Sequence, residues 1–572
     1  MCSSQSGLTF QLGRFVIFVL SCLAPILLAG CDSAVVTTYY RTGAIACESP
    51  IASEIGLAVF REGGNAFDAA IAVGFALAVT HPEAGNIGGG GFAVIRDGKN
   101  GVIRALDFRE VAPSAATDSM YLDSSGNIIE NQSLIGAKAA GVPGTVAGLY
   151  ELWQSYGTIP WENLVRYAAD LADSGFVVSE YLSGSIASAE DGLEQFDETR
   201  AIYLPGDNPQ KAGDRFIQKD LARTLFAIAA EGADGFYKGE TALHIDSCMM
   251  VQGGLITLAD LEAYRSLWRE PLHYTFDSLD IYTMPPPSSG GITGGQILKL
   301  LEPYDFSTMT PTSPEYLHLY CEAARLAFAD RSQHLGDPAY WQVPGGLLDA
   351  TYLNERRTHI SLSKAESSEH IVPGRLSAES ENTTHFSVCD KKGNMVSLTY
   401  TLNDDYGSKL VVSGCGFLLN NEMDDFAVKA GAPNLYGLIG GEANKIAPGK
   451  RMLSSMAPTI VTNRGLPLLC LGAPGGPKII STVTQAIINF SRFHMPLSHV
   501  AAAPRFHHQW IPDKIVLERG GFDINTIQGL ISKGHTVEEI EPFSNLQMIH
   551  FDASGQMAAM SDPRSAGQGA GY

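Results

Sequence analysis

Thr383-Thr384-His385-Phe386-Ser387-Val388 begins a series of strand-forming residues directly after a long polar segment. The preceding residues 361–382 are rich in Ser and Glu and are interrupted by Pro373-Gly374, which is typical of an exposed connector. Residues 385–388 and 395–402 flank a turn at residues 390–393, and Thr, Val, Tyr and Leu dominate both segments. This pattern predicts a β-hairpin.

Thr383 stands where a chain could expose a catalytic hydroxyl by cutting itself. No HExxH, GxSxG or P-loop motif occurs, so a nucleophile has to be sought elsewhere. Cleavage between Asn382 and Thr383 would place a hydroxyl and a free α-amino group on one residue. That amine, with an ordinary pKa of about 7.7–8.0, can serve as the general base. Thr is also common at strand starts, so this stretch alone leaves both interpretations open.

Further motifs lie on both sides of this stretch and extend over nearly all of the chain after residue 31. They are Glu62-Gly63-Gly64-Asn65-Ala66, residues 80–91, Asp107-Phe108-Arg109-Glu110, and residues 383–388, 399–403, 418–426, 453–459, 472–476, 503–510 and 561–565. In sequence and in order, these motifs closely resemble the γ-glutamyltransferases, a family also called glutathione hydrolases.

The resemblance implies an α+β fold of the N-terminal-nucleophile hydrolase type, with two stacked sheets between helical layers in an αββα order. The precursor would cut itself between Asn382 and Thr383. The products would be a large subunit of residues 31–382 and a small subunit of residues 383–572, which stay together as a heterodimer. One fold built from two chains also accounts for 572 residues, which is too long for one ordinary domain.

The resemblance also implies the roles of individual residues. Thr383 would attack the γ-glutamyl amide, Thr401 would support its hydroxyl, and the backbone N–H groups of Gly475 and Gly476 would bind the oxyanion. The residues expected to bind substrate are Arg109, Asn403, Glu422, Asp425, Ser454, Ser455 and Tyr436. Arg109 and the two serines match the α-carboxylate of the glutamyl group, and the carboxylates with Asn403 match its α-ammonium. The acceptor would be water, an amino acid or a peptide, and no cofactor or metal is expected.

Two positions near this site depart from the family pattern. Glu422 stands where the family often has Gln, and residues 404–409, Asp-Asp-Tyr-Gly-Ser-Lys, replace an uncharged, Thr-rich loop. The acceptor preference is therefore open. Residues 433–450 resemble a lid loop, in which Tyr436 would close over the bound glutamyl group. His507 and His508 are interpreted as structural, because the α-amino group already supplies the base.

The N-terminal half contains its own signals. Residues 51–61 and 66–79 predict two helices, the second of them buried because it is apolar almost all round. Four consecutive glycines, residues 88–91, do not follow a phosphate-binding spacing and indicate backbone packed close to backbone. Residues 92–108 predict a pair of strands around Asp97-Gly98.

The composition excludes some classes of function. The net charge of −22 repels phosphate backbones, which argues against nucleic-acid binding. No CxxC motif or Cys/His cluster occurs in the sequence, so a zinc or redox site is not expected. Disulfides are possible in an oxidising compartment, but the sequence cannot pair them.

The first thirty residues predict a lipoprotein signal peptide. Arg14 precedes an apolar stretch of residues 15–29, which is too short to span a bilayer comfortably. It ends in Leu28-Ala29-Gly30-Cys31, which resembles a bacterial lipobox, while an ordinary signal peptide with a chance cysteine is the alternative. With Cys31 lipidated, the protein would be exported and held on a membrane by acyl chains, on the periplasmic side in a Gram-negative cell.

Two other functions compete with γ-glutamyl transfer. One is a related acylase that acts on glutaryl or cephalosporin side chains, against which Arg109, Asp425 and the serine pair favour an α-amino acid substrate. The other is a lipid-anchored binding protein without catalysis, against which the retained Thr383, Thr401 and glycine pair argue. Electrophoresis of the mature protein distinguishes the enzyme from the binding protein, because the self-cleaved enzyme gives two bands and the uncut binding protein gives one.

Overall fold

The structure is a computed structural model that describes residues 37–372, 384–429, 432, 434–435, 437–438 and 441–572. The predictions for the signal peptide 1–30, Cys31, Asn382, Thr383 and Tyr436 lie outside the described residues and stay predictions. So does the division into subunits, 31–382 and 383–572.

The strands of the described chain are mostly short. They are β1 (Gly43–Cys47), β2 (Gly90–Arg96), β3 (Ile103–Phe108), β4 (Phe176–Val177), β5 (Arg215–Phe216), β6 (Leu267–Arg269), β7 (Leu272–Phe276), β8 (Leu279–Thr283), β9 (Thr384–Asp390), β10 (Met395–Thr401), β11 (Thr459–Asn463), β12 (Leu466–Gly472), β13 (Phe506–His507), β14 (Ile515–Glu518), β15 (Val537–Ile540), β16 (Gln547–Phe551), β17 (Met557–Ser561) and β18 (Gln568–Gly571).

The helices are α1 (Pro50–Arg61), α2 (Ala66–Thr80), α3 (Thr145–Tyr156), α4 (Trp161–Ser174), α5 (Glu180–Ser188), α6 (Glu190–Leu193), α7 (Asp197–Tyr203), α8 (Lys219–Glu231), α9 (Asp234–Tyr237), α10 (Gly239–Gln252), α11 (Leu258–Ala263), α12 (Gly290–Leu301), α13 (Pro314–His334), α14 (Ala350–Arg357), α15 (Pro477–Ser491), α16 (Leu497–Ala502) and α17 (Ile524–Ser532). Among the described residues, no helix is long and apolar enough to cross a bilayer.

Two large sheets form the centre of the protein. One has seven strands in the order β18-β1-β9-β10-β2-β3-β6, and the other has six in the order β17-β16-β12-β11-β8-β7. Each sheet combines strands from both sides of the predicted cleavage point. In the seven-stranded sheet, the β9–β10 hairpin lies between β1 and β2, so the two segments are interleaved rather than side by side.

The alternation of side chains along β9 shows how the layers stack. Phe386 and Val388 point into a core shared with α2 and α4, whereas Cys389 packs against Cys470 of β12 between the two sheets. The outer face of the six-stranded sheet packs on α12 and α15. The order of layers is therefore helix, sheet, sheet, helix, which confirms the expected αββα arrangement within an α+β fold.

The local predictions are confirmed. Helices α1 and α2 match the expected ranges within one residue at each end, and Asn65 forms a capping box with Asp68 at the start of α2. The strand pair appears as β2 and β3, and the hairpin as β9 and β10. In the described part of the connector, residues 361–372, neither helix nor strand forms.

The four glycines do pack backbone against backbone. A Cβ on Gly89 would lie 1.9 Å from the carbonyl oxygen of Thr401, and one on Gly91 would lie 2.3 Å from that of Thr399. Neither contact leaves room for a side chain, so glycine is required for β2 to approach β10 here. This close approach positions the end of β10.

Candidate active site

Several strand ends meet at one edge of the sheet pair. Thr384 at the start of β9 pairs with Tyr400, and Thr401 at the end of β10 pairs with Gly90 at the start of β2. Gly91 in turn pairs with Phe108, the last residue of β3. Thr401 and the residue that follows Phe108, Arg109, therefore lie at the same edge.

The second sheet contributes its own strand end to this edge. Gly472 ends β12, and a Cβ there would lie 2.4 Å from the imidazole ring of His385. His385 is buried and is hydrogen-bonded at Nδ1 to Thr399 Oγ1 over 2.8 Å and at Nε2 to Ser387 Oγ over 3.1 Å. Burial lowers the pKa of His385 to about 3, so this ring is neutral and structural.

Gly475 and Gly476 form the turn between β12 and α15. Their φ angles are +113° and +61°, and Gly476 is the N-cap of α15 with ψ of −133°. Such angles favour glycine, and they place backbone N–H groups at the positive end of a fifteen-residue helix. The turn therefore has backbone donors suited to a developing oxyanion, the role that the family resemblance implies for it.

Thr401 and Asn403 are joined at the end of β10. The Asn403 amide N–H donates to Thr401 Oγ1 over 2.8 Å, and Asn403 adopts a φ of +78°. Its side-chain Nδ2 donates to the carbonyl oxygen of Asn421 over 3.1 Å. No described residue donates to the buried Asn403 Oδ1. This oxygen is available as an acceptor for a ligand ammonium.

A charge cluster, comprising Arg109, Glu110, Glu422 and Asp425, lies next to this strand end. Arg109 is 1% exposed, and its guanidinium forms ion pairs with Asp425 and, over 2.6 Å, with Glu422. Glu110 lies 3.5 Å from the same guanidinium. The predicted carboxylate-binding and ammonium-binding residues are thus brought together.

Burial dominates the electrostatics of the cluster. It lowers the pKa of Arg109, but Glu422 and Asp425 raise this pKa by more, so the guanidinium stays charged. Burial raises the pKa of Glu110, Glu422 and Asp425 against the opposing effect of Arg109. One guanidinium is shared among three carboxyl groups, and burial favours the protonated form of carboxyl groups that it does not balance. An incoming ammonium would favour their ionised form and so supply the missing positive charge.

The serine pair follows the chain segment on which Arg109 rests. Arg109 Nε donates to the carbonyl oxygen of Met452 over 3.2 Å, and the buried Ser454 and Ser455 come two and three residues later. Asn444 links this segment to the cluster, because its Nδ2 donates to the carbonyl oxygen of Asp425 over 2.5 Å and its Oδ1 accepts from the Leu453 amide.

Two residues of the site were not identified from the sequence. Asn444 holds Asp425 and Leu453 together, and Arg331 of α13 donates to Ser455 Oγ over 2.6 Å. For Arg331 a signal was present, since an arginine that directly follows the stretch Leu326-Ala327-Phe328-Ala329-Asp330 of a buried helix needs a polar partner. Nothing in the sequence around Asn444 distinguishes it.

A cavity of about 220 Å³ adjoins Asp425. Its lining combines residues 128–131, 133 and 134 with described residues of the predicted lid loop such as Leu435 and Leu438. Asp424 connects the two sides, because Ser133 Oγ donates to it over 2.7 Å and the Leu435 amide donates over 3.2 Å. Leu435, a described residue of the predicted lid loop, is therefore held beside Asp424 and the charge cluster.

One group of side chains has the composition of a metal site. His318, Glu322 and His535 are buried, with potential ligand atoms within 4.8 Å of one another. His318 Nδ1 is hydrogen-bonded to His535 Nε2 over 2.7 Å, and Arg325 pairs with Glu322. A guanidinium beside the carboxylate opposes a divalent cation, so this group is better described as a hydrogen-bonded network.

His507 and His508 belong to similar hydrogen-bonded networks. His507 Nδ1 is bonded to Ser481 Oγ over 2.8 Å, and His508 Nε2 to Asp513 over 3.2 Å. Burial lowers the pKa of His507 to about 3 and that of His508 to about 4. Both rings are neutral at physiological pH, which agrees with the structural interpretation.

Comparisons with known proteins find relatives over most of the chain. The sequence profile of the family described as γ-glutamyltranspeptidase matches residues 52–572. The glutathione hydrolase proenzyme of Escherichia coli (strain K12) is 44% identical over 528 residues, covering 92% of this chain and 91% of that protein.

Solved structures share the fold. The crystal structure of cephalosporin acylase from Bacillus halodurans superposes with a TM-score of 0.84 at 25% identity, covering 97% of this chain and 99% of that one. The crystal structure of Helicobacter pylori γ-glutamyltranspeptidase is 42% identical with a TM-score of 0.56, covering 57% of this chain and 94% of that one.

Proposed function

This chain belongs to the γ-glutamyltranspeptidase family, and we propose that it is a self-cleaving γ-glutamyltransferase and glutathione hydrolase. The observation that carries the proposal is the pairing of Arg109 with Glu422 and Asp425 in a buried site. A γ-glutamyl group carries its α-carboxylate and α-ammonium on one carbon, so its partners must be adjacent and of opposite charge.

Substrate binding exchanges one set of ion pairs for another. The α-carboxylate pairs with Arg109 and accepts from Ser454 and Ser455, and the α-ammonium donates to Asp425, Glu422 and Asn403 Oδ1. Because Arg109 is already paired in the free protein, selectivity comes from the match of both charged ends rather than from attraction of one.

The chemical steps follow from an N-terminal threonine. Thr383 Oγ attacks the γ-carbonyl carbon, its proton passes to the α-amino group, and Gly475 and Gly476 donate to the oxyanion. Collapse breaks the C–N bond, and the leaving amine takes that proton. Water or the amine of an acceptor then attacks the γ-glutamyl-Thr383 ester and releases the threonine hydroxyl.

Maturation uses the same hydroxyl. Thr383 Oγ attacks the carbonyl carbon of Asn382, and the C–N bond between the two residues breaks, which frees the α-amino group of Thr383. Water then hydrolyses the resulting ester and separates the two subunits. The subunits remain associated because β9 and β10 are inserted between β1 and β2, and β11 pairs with β8. Separation would break backbone hydrogen bonds in both sheets.

A glutaryl or cephalosporin acylase is the second candidate, favoured by the structural similarity to the Bacillus halodurans enzyme. A glutaryl group has a carboxylate but no α-ammonium. Its carboxylate would compete for Arg109, and no positive charge on the substrate would replace Arg109 as the partner of the buried Asp425 and Glu422. Uncompensated buried carboxylates are costly. The charge cluster therefore supports the γ-glutamyl substrate.

Product analysis tests the proposal. Purified protein incubated with glutathione is expected to release glutamate. When a dipeptide acceptor is added, the protein is expected to transfer the γ-glutamyl group to the amine of that dipeptide. Glutaryl-7-aminocephalosporanic acid serves as the competing substrate. Faster turnover of the glutaryl compound than of glutathione would replace this proposal with the acylase. A single uncut band and no turnover of either would favour the binding protein.

Localisation is a separate part of the proposal. Leu28-Ala29-Gly30-Cys31 supports export followed by lipidation of Cys31. The wild-type protein is expected to incorporate labelled fatty acid and to fractionate with membranes, and Cys31→Ser to lose both properties. Membrane fractionation without label in the wild type would rule out the lipobox.

A further inference from the structure

Arg331 makes a forked contact with two serines. It lies in α13, is 1% exposed, and donates from Nη2 to Ser455 Oγ over 2.6 Å and from Nε to Ser289 Oγ over 2.8 Å. A guanidinium has only donors, so both hydroxyl oxygens act as acceptors. Each hydroxyl must therefore direct its own hydrogen away from Arg331.

The two hydroxyl hydrogens have different uses. Ser289 Oγ donates to the carbonyl oxygen of Ser454 over 2.7 Å, and the Ser289 amide donates to the same oxygen over 2.6 Å. Ser289 therefore holds the backbone of the serine pair. Ser455 Oγ can donate only on the side away from the guanidinium, and a hydroxyl that accepts from a cation is a stronger donor.

The surrounding backbone leaves the serine pair little freedom. Ser288 forms a parallel bridge with Ser454, and Ser288 Oγ donates to the carbonyl oxygen of Met456 over 2.5 Å. A Cβ on Gly290 would lie 2.7 Å from the carbonyl oxygen of Ser455. The segment from Ser288 to Gly290 and Arg331 precede the predicted cleavage point, whereas the serine pair follows it.

We propose that Arg331 is a positioning residue for the substrate α-carboxylate, acting through Ser455. The inference rests on the proposed function, in which Ser454 and Ser455 bind that carboxylate. Arg331 orients the Ser455 hydroxyl so that its hydrogen is delivered to the carboxylate. Lysine cannot replace it, because one ammonium cannot reproduce a planar fork that serves Ser289 and Ser455 together.

Steady-state kinetics on a γ-glutamyl anilide test this role. Arg331→Lys and Arg331→Gln are expected to raise KM about tenfold or more, the loss expected for one charge-assisted hydrogen bond, with a smaller change in kcat. The matched control is Arg96→Lys. Arg96 is also buried and also serves two oxygens, the carbonyls of Gly393 and Gly465, at the opposite end of β2. The KM of the Arg96→Lys variant is expected to stay at the wild-type value.

A substrate change separates positioning from a general structural effect. The anilide of 4-aminobutyrate lacks the α-carboxylate, so Arg331→Gln and wild type are expected to hydrolyse it at equal, low rates. A double-mutant cycle with Ser455→Ala gives a second readout, in which Arg331→Lys adds little once the hydroxyl is absent. This cycle uses the charge-conserving variant, so it remains informative if Arg331→Gln is poorly processed.

Three results would overturn the inference: an unchanged KM in both Arg331 variants, equal losses on both anilides, or additive effects in the cycle. Failure of the proposed function looks different, because wild-type protein itself would then release no glutamate from glutathione.

Discussion

The two ends of the candidate site are built from different chemical groups. The end formed by Thr401, Gly475 and Gly476 consists of a hydroxyl and backbone amides held at strand and helix termini. The other end consists of buried charges, with Arg109 shared between Glu422 and Asp425. The first end depends on backbone geometry, so mutations there should mainly lower kcat. The second end depends on the balance of charges, so mutations there should mainly change substrate affinity and pH dependence.

The largest effect is expected from Thr383→Ala, which removes the proposed nucleophile. The variant should remain a single uncut chain without γ-glutamyl turnover, because no hydroxyl remains to attack either carbonyl. The control is Thr384→Val, since Thr384 Oγ1 has no hydrogen-bond partner among the described residues. Electrophoresis of the purified proteins decides the matter, and two normal bands from Thr383→Ala would refute the assignment.

Gly476→Ala is expected to have the next largest effect. Its φ of +61° and ψ of −133° are strained for any residue with a Cβ, so the amide would turn away from the oxyanion. We expect kcat to fall by roughly 10²–10³ with a smaller change in KM. Gly465→Ala is the control, with φ of +78° and no atom near its Cβ. An equal fall in kcat for both variants would assign the loss to backbone strain alone.

At the charged end, Arg109→Lys should weaken substrate binding and so impair γ-glutamyl transfer, but it should not affect self-cleavage. Lysine keeps the charge and loses the fork, which corresponds to about tenfold to a few hundredfold in kcat/KM. Asp425→Asn should show a similar loss through the ammonium. Electrophoresis measures self-cleavage, and steady-state kinetics on a γ-glutamyl anilide measure kcat/KM. Two normal bands with unchanged kcat/KM would mean that Arg109 does not hold the substrate.

The smallest effect concerns the pH dependence of stability. Burial raises the pKa of Glu110, so the folded protein keeps a proton that the unfolded chain has lost. The free energy of unfolding should therefore fall as pH rises from about 5 to 8, by up to about 1.4 kcal/mol per pH unit for one proton. Glu110→Gln should flatten this fall.

Thermal unfolding at several pH values provides the measurement. The exposed Glu54, whose side chain is 61% accessible, supplies the control Glu54→Gln, which should leave the slope of Tm against pH unchanged. A slope in Glu110→Gln equal to that of the wild type would place the titration in other groups of the charged end.

Local features could be derived from sequence because they depend on neighbouring residues. The hairpin around residues 390–393, helices α1 and α2, and the requirement for glycine at residues 88–91 each follow from residue type and spacing. The resemblance to the family motifs identified the candidate residues of the site. Those that fall on described residues, from Arg109 to Ser455, are found around one sheet edge.

Only the tertiary structure determined which distant strands pair and which distant residues form hydrogen bonds around the site. The interleaving of β9 and β10 between β1 and β2, and the links through Asn444 and Arg331, join distant segments of the chain. Gly43 of β1 pairs with Asp390 of β9, 347 positions away, and Arg331 bonds to Ser455, 124 positions away. Residue type and spacing report on neighbours in the chain. They do not report which distant donor faces which acceptor, because packing of whole sheets and helices determines that.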